Sequence, residues 1–99
     1  ANTIPTSPRL VPNMSSRIVI IFYTKPECSL CEDAATLLEV AGHHWSLEVQ
    51  MVDILRDPTL YDLFWNRIPV LEFADGATLE PPITRERLTA FIRRSLPEP

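Results

Sequence analysis

Ile18-Val19-Ile20-Ile21-Phe22-Tyr23, then Thr24-Lys25-Pro26-Glu27, then Cys28-Ser29-Leu30-Cys31 is the stretch from which the fold is read. Its first six residues are β-branched or aromatic, a run that suits a strand buried on both faces in the middle of a sheet. From Cys31 onward, small or apolar residues recur at Ala34, Ala35, Leu38 and Ala41, and Gly42 supplies a stop. That spacing predicts a helix over 29–41. A strand thus hands over to a helix at the two cysteines.

Beyond this helix, Trp45, Leu47, Val49 and Met51 alternate with Ser46, Glu48 and Gln50, the period of two of a half-buried strand. Asp57-Pro58 reads as a helix entry, a capping carboxylate followed by proline at the first helical position, with Leu60, Leu63 and Phe64 as the inner face up to about Trp65. Pro69 to Phe73 and Ala77 to Leu79 flank Asp75-Gly76, which predicts a hairpin with a two-residue turn. Thr84 caps a last helix to about Ser95, with Leu88, Phe91, Ile92 and Leu96 on one side. The order is β-α-β-α-β-β-α. A strand-helix-strand unit pairs its strands in parallel, so the expected α/β fold is a four-stranded mixed sheet with helices on both faces.

Ninety-nine residues, 45% of them apolar, suit one compact soluble domain. Five of the ten prolines fall in the tails. The body is expected over 17–96, with 1–16 a disordered or loosely attached leader and 97–99 a tail. No apolar run approaches the roughly 20 residues that span a bilayer, and no basic segment precedes an apolar one, so a cytoplasmic location without a membrane partner is expected. Nine Lys plus Arg against thirteen Asp plus Glu argue against a nucleic-acid partner, and Arg85, Arg87, Arg93 and Arg94 read as a solvated face.

Two cysteines are too few for a disulfide scaffold and point to redox chemistry or a metal. Cys28 falls where a helix N-terminus, with its unpaired N–H groups and dipole, stabilises a thiolate. Cys31 lies one helical turn on, within reach of a disulfide, on the inner side. Cys28 therefore reads as the attacking thiol and Cys31 as the resolving one. Lys25 favours the thiolate, whereas Glu27, Glu32 and Asp33 oppose it. A zinc site using His43 and His44 has the wrong spacing, and no metal is expected. Two other readings stand beside the enzyme: a bridged iron–sulfur cluster, and an interaction or redox-sensing module using Leu30, Tyr61 and Trp65.

From Ile18 to Leu96 the sequence resembles the glutaredoxin and thioredoxin superfamily. The resemblance is carried by Tyr23 to Cys31, by the strand from Trp45 to Asp53 and by Arg67-Ile68-Pro69-Val70-Leu71. Within that group it most resembles small bacterial glutaredoxin-like proteins. The resemblance implies a thioredoxin-like fold and a dithiol–disulfide oxidoreductase with Cys28 and Cys31 as catalytic residues. It further implies that Pro69 is a cis-proline facing the cysteines and that Ile68 offers its backbone to a substrate peptide. Lys25, Ile68 and Pro69 are the expected substrate-binding residues. The residues alone leave the Ile68–Pro69 bond open to a trans turn. Glu27 before the first cysteine and Ser29-Leu30 between the two depart from thioredoxins. Leu79-Glu80-Pro81-Pro82 replaces the Gly-Gly turn and acid of glutathione-using glutaredoxins. The expected partners are accordingly protein disulfides and a separate reductase, with glutathione used poorly, no bound cofactor, and a monomeric protein.

Overall fold

The computed structural model describes residues 17–96; the expected leader 1–16 and tail 97–99 lie outside the described residues. The elements are β1 (Ile18–Thr24), α1 (Ser29–Ala41), β2 (Leu47–Asp53), a 3-10 turn (Ile54–Arg56), α2 (Pro58–Phe64), β3 (Val70–Phe73), β4 (Thr78–Leu79) and α3 (Arg85–Arg94). The order matches the expectation, with the 3-10 turn added. Its local cause is Asp53, whose carboxylate accepts the Leu55 N–H at 2.9 Å and turns the chain out of the strand.

The four strands lie in the order β2-β1-β3-β4. β1 pairs in parallel with β2 (Ile18 beside Leu47, Phe22 beside Met51) and antiparallel with β3 (Ile20 beside Phe73, Tyr23 beside Val70). Leu71 in turn stands beside Leu79 of β4. Ile18, Ile20, Phe22, Leu71, Phe73 and Leu79 project to one face and are buried there with Cys31, Ala34 and Leu38 of α1 and Leu88 and Ile92 of α3. Each such fully buried aliphatic or aromatic side chain contributes roughly 1.5–3 kcal/mol.

The other face is covered unevenly. α2 has seven residues and none fully buried, and it meets the core through Leu60 and Phe64, the latter stacked on Tyr23 with ring centroids 4.5 Å apart. Val19, Ile21 and Tyr23 are therefore half-buried, so the central strand is buried on one face and partly covered on the other. The same shortness corrects the inner face expected of α2: Leu60 and Phe64 are half-buried, but Leu63 is exposed.

Two further expectations change. Val49 and Met51 lie on the core side of β2, yet β2 is an edge strand beyond the cover of α1 and both are exposed. The turn between β3 and β4 has three residues, not two. Gly76 N–H donates to the Phe73 carbonyl and Phe73 N–H to the Ala77 carbonyl, each at 2.9 Å, and Gly76 alone takes a positive φ, 90°. That is a type I turn closed by a left-handed glycine; the two-residue turn favoured by Asp-Gly needs positive φ at both positions.

Candidate functional site

β1 ends on the buried Thr24, and Lys25-Pro26-Glu27 carries the chain up to α1. Glu27 takes φ 57°, a left-handed conformation uncommon for a residue with a Cβ, which redirects the backbone before the helix starts. Cys28 is the N-cap of α1, extended at φ −128° and ψ 104°. Its Sγ accepts the Cys31 N–H at 3.2 Å, and its carbonyl accepts the Glu32 N–H at 3.1 Å. Sulfur thus takes the place that a serine or aspartate oxygen usually takes at a cap, at the positive end of the helix dipole.

Cys28 is partly exposed and Cys31 is 3% exposed. The two are joined as a disulfide with Cα atoms 5.2 Å apart. Beside Cys31 a cleft of about 400 Å³ opens between α1 and β2, with Lys25, Glu27, Glu32 and Asp53 as its charged lining and Phe22 and Met51 as apolar lining. One cation against three carboxylates makes this side of the site acidic.

Of the expected substrate-binding residues, Lys25 shares this cleft with Cys31, whereas Ile68 and Pro69 do not line it. They stand on the other side. Tyr23 lies beside Val70 in the antiparallel register, so Pro69 and Ile68 sit just beyond the end of β1, the end that leads to Cys28. The Ile68–Pro69 bond is cis and the Pro69 ring is fully buried. Ile68 is 9% exposed, and its N–H already donates to the Phe64 carbonyl at 3.0 Å.

Sequence reasoning missed the polar contacts that brace this end. Tyr23 Oη donates to Glu72 Oε1 at 2.7 Å; burial first, and then that bond and the charge of Glu72, push the Tyr23 pKa up to about 12. Arg67, one residue before Ile68, donates through Nε and Nη2 to the two Glu80 oxygens at 3.2 and 2.5 Å, and this guanidinium holds the Glu80 carboxyl below its usual range. The Pro81–Pro82 bond that follows is also cis. Tyr23 and Glu72 are 49 residues apart and Arg67 and Glu80 13, so no local pattern signals either pair. Met51 and Asp53 were missed as lining residues too, although the parallel register sets them beside Phe22 and Thr24.

His43 and His44 are exposed past the far end of α1, which at 1.5 Å per residue places them roughly 20 Å from Cys28. Among the described residues no group of three or more His, Cys, Asp or Glu is placed to hold a metal ion. Among them, too, no helix is long and apolar enough to cross a membrane.

A mixed four-stranded sheet with a Cys-x-x-Cys pair, joined as a disulfide, at the first strand-to-helix junction defines a thioredoxin-fold protein. The chain belongs to the glutaredoxin-like domain family (DUF836), whose model matches residues 19–93. Among solved structures it is similar to protein XcR50 from X. campestris, at 28% identity over 76% of this chain and 96% of that one, with a TM-score of 0.68. Two more distant likenesses show the fold alone. Protein Ne2328 from Nitrosomonas europaea is 22% identical over 75% of this chain and 89% of its own, with a TM-score of 0.65. A malaria parasite thioredoxin-2, described as a component of protein secretion machinery, is 14% identical over 79% of this chain and 82% of its own, with a TM-score of 0.60. No curated protein matches the sequence.

Proposed function

We propose that the protein is a thiol–disulfide oxidoreductase that reduces protein disulfides through Cys28 and Cys31. The observation that carries this reading is the pairing of a part-exposed sulfur that caps a helix with a buried one a turn away. The N-terminal dipole and the Cys31 N–H favour the Cys28 thiolate, which attacks one sulfur of a substrate disulfide. A mixed disulfide forms and the other substrate sulfur leaves as a thiolate that takes up a proton. Cys31 loses its proton and attacks Cys28 Sγ. The mixed bond breaks, the Cys28–Cys31 disulfide forms, and the substrate departs as a dithiol. Two electrons and two protons have then moved to the substrate, and an external dithiol reductant returns them.

Lys25 on one side and the Ile68 carbonyl on the other are the groups assigned to substrate binding, with Pro69 seating Ile68. Glutathione fits poorly, because Pro81 and Pro82 have no N–H to offer a carboxylate and the Glu80 carboxylate is engaged by Arg67. Glu27, Glu32 and Asp33 limit how far the Cys28 thiolate is stabilised, and a strong oxidant needs a very stable thiolate. The expected potential is about −270 to −200 mV, that of a cytoplasmic reductant acting as a monomer.

Equilibration in defined thiol buffers measures that potential, and a value near about −120 mV would reverse the direction of electron flow. In parallel, Cys31→Ser is expected to trap mixed disulfides with protein substrates through Cys28, and Cys28→Ser to trap none. Equal trapping by both variants would end the two-step exchange.

A further inference from the structure

A second groove, of about 450 Å³, lies between α1 and α3 and shares no lining residue with the cysteine cleft. Its walls are apolar: Leu37, Val40 and Ala41 from α1 and Leu88 from α3. The polar groups on its rim are His44, Arg85, Thr89 and Arg93, with Trp45 at one end. No carboxylate lines it among the described residues, in a chain whose net charge is −4.

The arginines of α3 divide into two kinds. Arg94 pairs with Asp75 at 2.9 Å, and Arg87 donates to the carbonyls of Glu80 and Pro82. Among the described residues Arg85 and Arg93 make neither a salt bridge nor a side-chain hydrogen bond, and these two face the groove. Arg93 lies over the Trp45 ring, 5.8 Å from its centroid, so a cation and an aromatic face are presented together. Of the acids of α1, Glu32 lines the cysteine cleft and Glu39 lies beside Val49 and Met51, while Asp33, one turn before Leu37 on the same side of the helix, does not line the groove.

We infer that this groove binds a small organic anion with a flat apolar body, an aryl carboxylate or sulfonate, its charge on Arg93 or Arg85 and its rings against Trp45 and the leucines. The volume suits such a ligand, since small-molecule sites run from about 300 to 1,000 Å³ with apolar walls and few polar groups. Guanidinium is the side chain whose paired N–H groups match a carboxylate or sulfonate. Leu37 to Ala41 lie six to ten residues beyond Cys31, roughly 9–15 Å along the helix, so occupancy is separable from disulfide exchange.

The test titrates the full ¹⁵N-labelled chain with 2-naphthoate and with the neutral 2-naphthamide, following the indole N–H resonances of Trp45 and Trp65. The expected result is saturable movement of Trp45 and not Trp65 by naphthoate below about 1 mM, with naphthamide about tenfold weaker. The paired Arg85→Gln, Arg93→Gln variant is expected to lower naphthoate binding to the naphthamide level while keeping its disulfide reductase activity. An unmoved Trp45, equal binding of the two compounds, or unchanged binding by the variant would overturn the proposal. If the variant fails to fold, the two compounds still decide on the unaltered chain.

Discussion

Tyr23 shows how one side chain draws on the three levels of this fold. Its backbone belongs to the strand that delivers Cys28, its ring stacks on α2, and its hydroxyl donates to Glu72 of β3. Its pKa is pushed up to about 12 from an ordinary 10.0, so the folded protein holds this proton more tightly than the unfolded chain. The stability that follows is fully present below pH 10 and is lost as pH rises through about 12. With Tyr61→Phe, Tyr23 is the sole tyrosine, and its absorbance titration should centre near pH 12 while urea stability falls steadily from pH 10. Ionisation near pH 10 would mean that the ring is not held between Phe64 and Glu72.

Each helix in the described residues begins on a side-chain cap: Cys28 Sγ for α1, Asp57 Oδ1 for α2 and Thr84 Oγ1 for α3. The last two are structural and were legible, because a capping residue is read from its immediate neighbours. α2 depends most on its cap, being seven residues long with no fully buried side chain. Asp57→Ala, which removes the acceptor for Thr59 N–H at 2.9 Å, should cost about 0.5–2 kcal/mol in urea unfolding of the oxidised protein. Asp57→Asn should restore most of it, and a loss below about 0.3 kcal/mol in the alanine variant would show the helix to be held by packing alone.

Among the described residues the buried side chains form one core, most of it between the sheet and the pair α1 and α3, with Val70 buried on the opposite face. Ile92 and Leu96 share a side of the last helix by spacing, but Ile92 is 0% exposed and Leu96 37%. Ile92→Ala should therefore cost about 2–5 kcal/mol and Leu96→Ala less than about 1 kcal/mol, read from denaturant midpoints at constant slope. Similar losses at the two positions would mean that the core extends past the end of α3.

The first strand, the 29–41 helix and the place of Cys28 at its N-terminus were readable because an apolar run, a three-to-four residue spacing and a cysteine pair are local signals, whereas the capping role of the Cys28 sulfur came from the structure. The chain order of the elements limited the topology to a mixed sheet, and the cis Ile68–Pro69 bond followed from resemblance and not from the residues, since its setting is built by contacts from elsewhere in the chain. What stayed hidden depends on which strand ends at an edge and on which distant residues meet. Val49 and Met51 have the pattern of a half-buried strand, but with β2 at the edge no element covers them. The four arginines of the last helix look alike in the sequence. In the fold, two are bound to Asp75 and to loop carbonyls, and two stand over an apolar groove, because the packing of α3 on α1 sets which side of the helix each one faces.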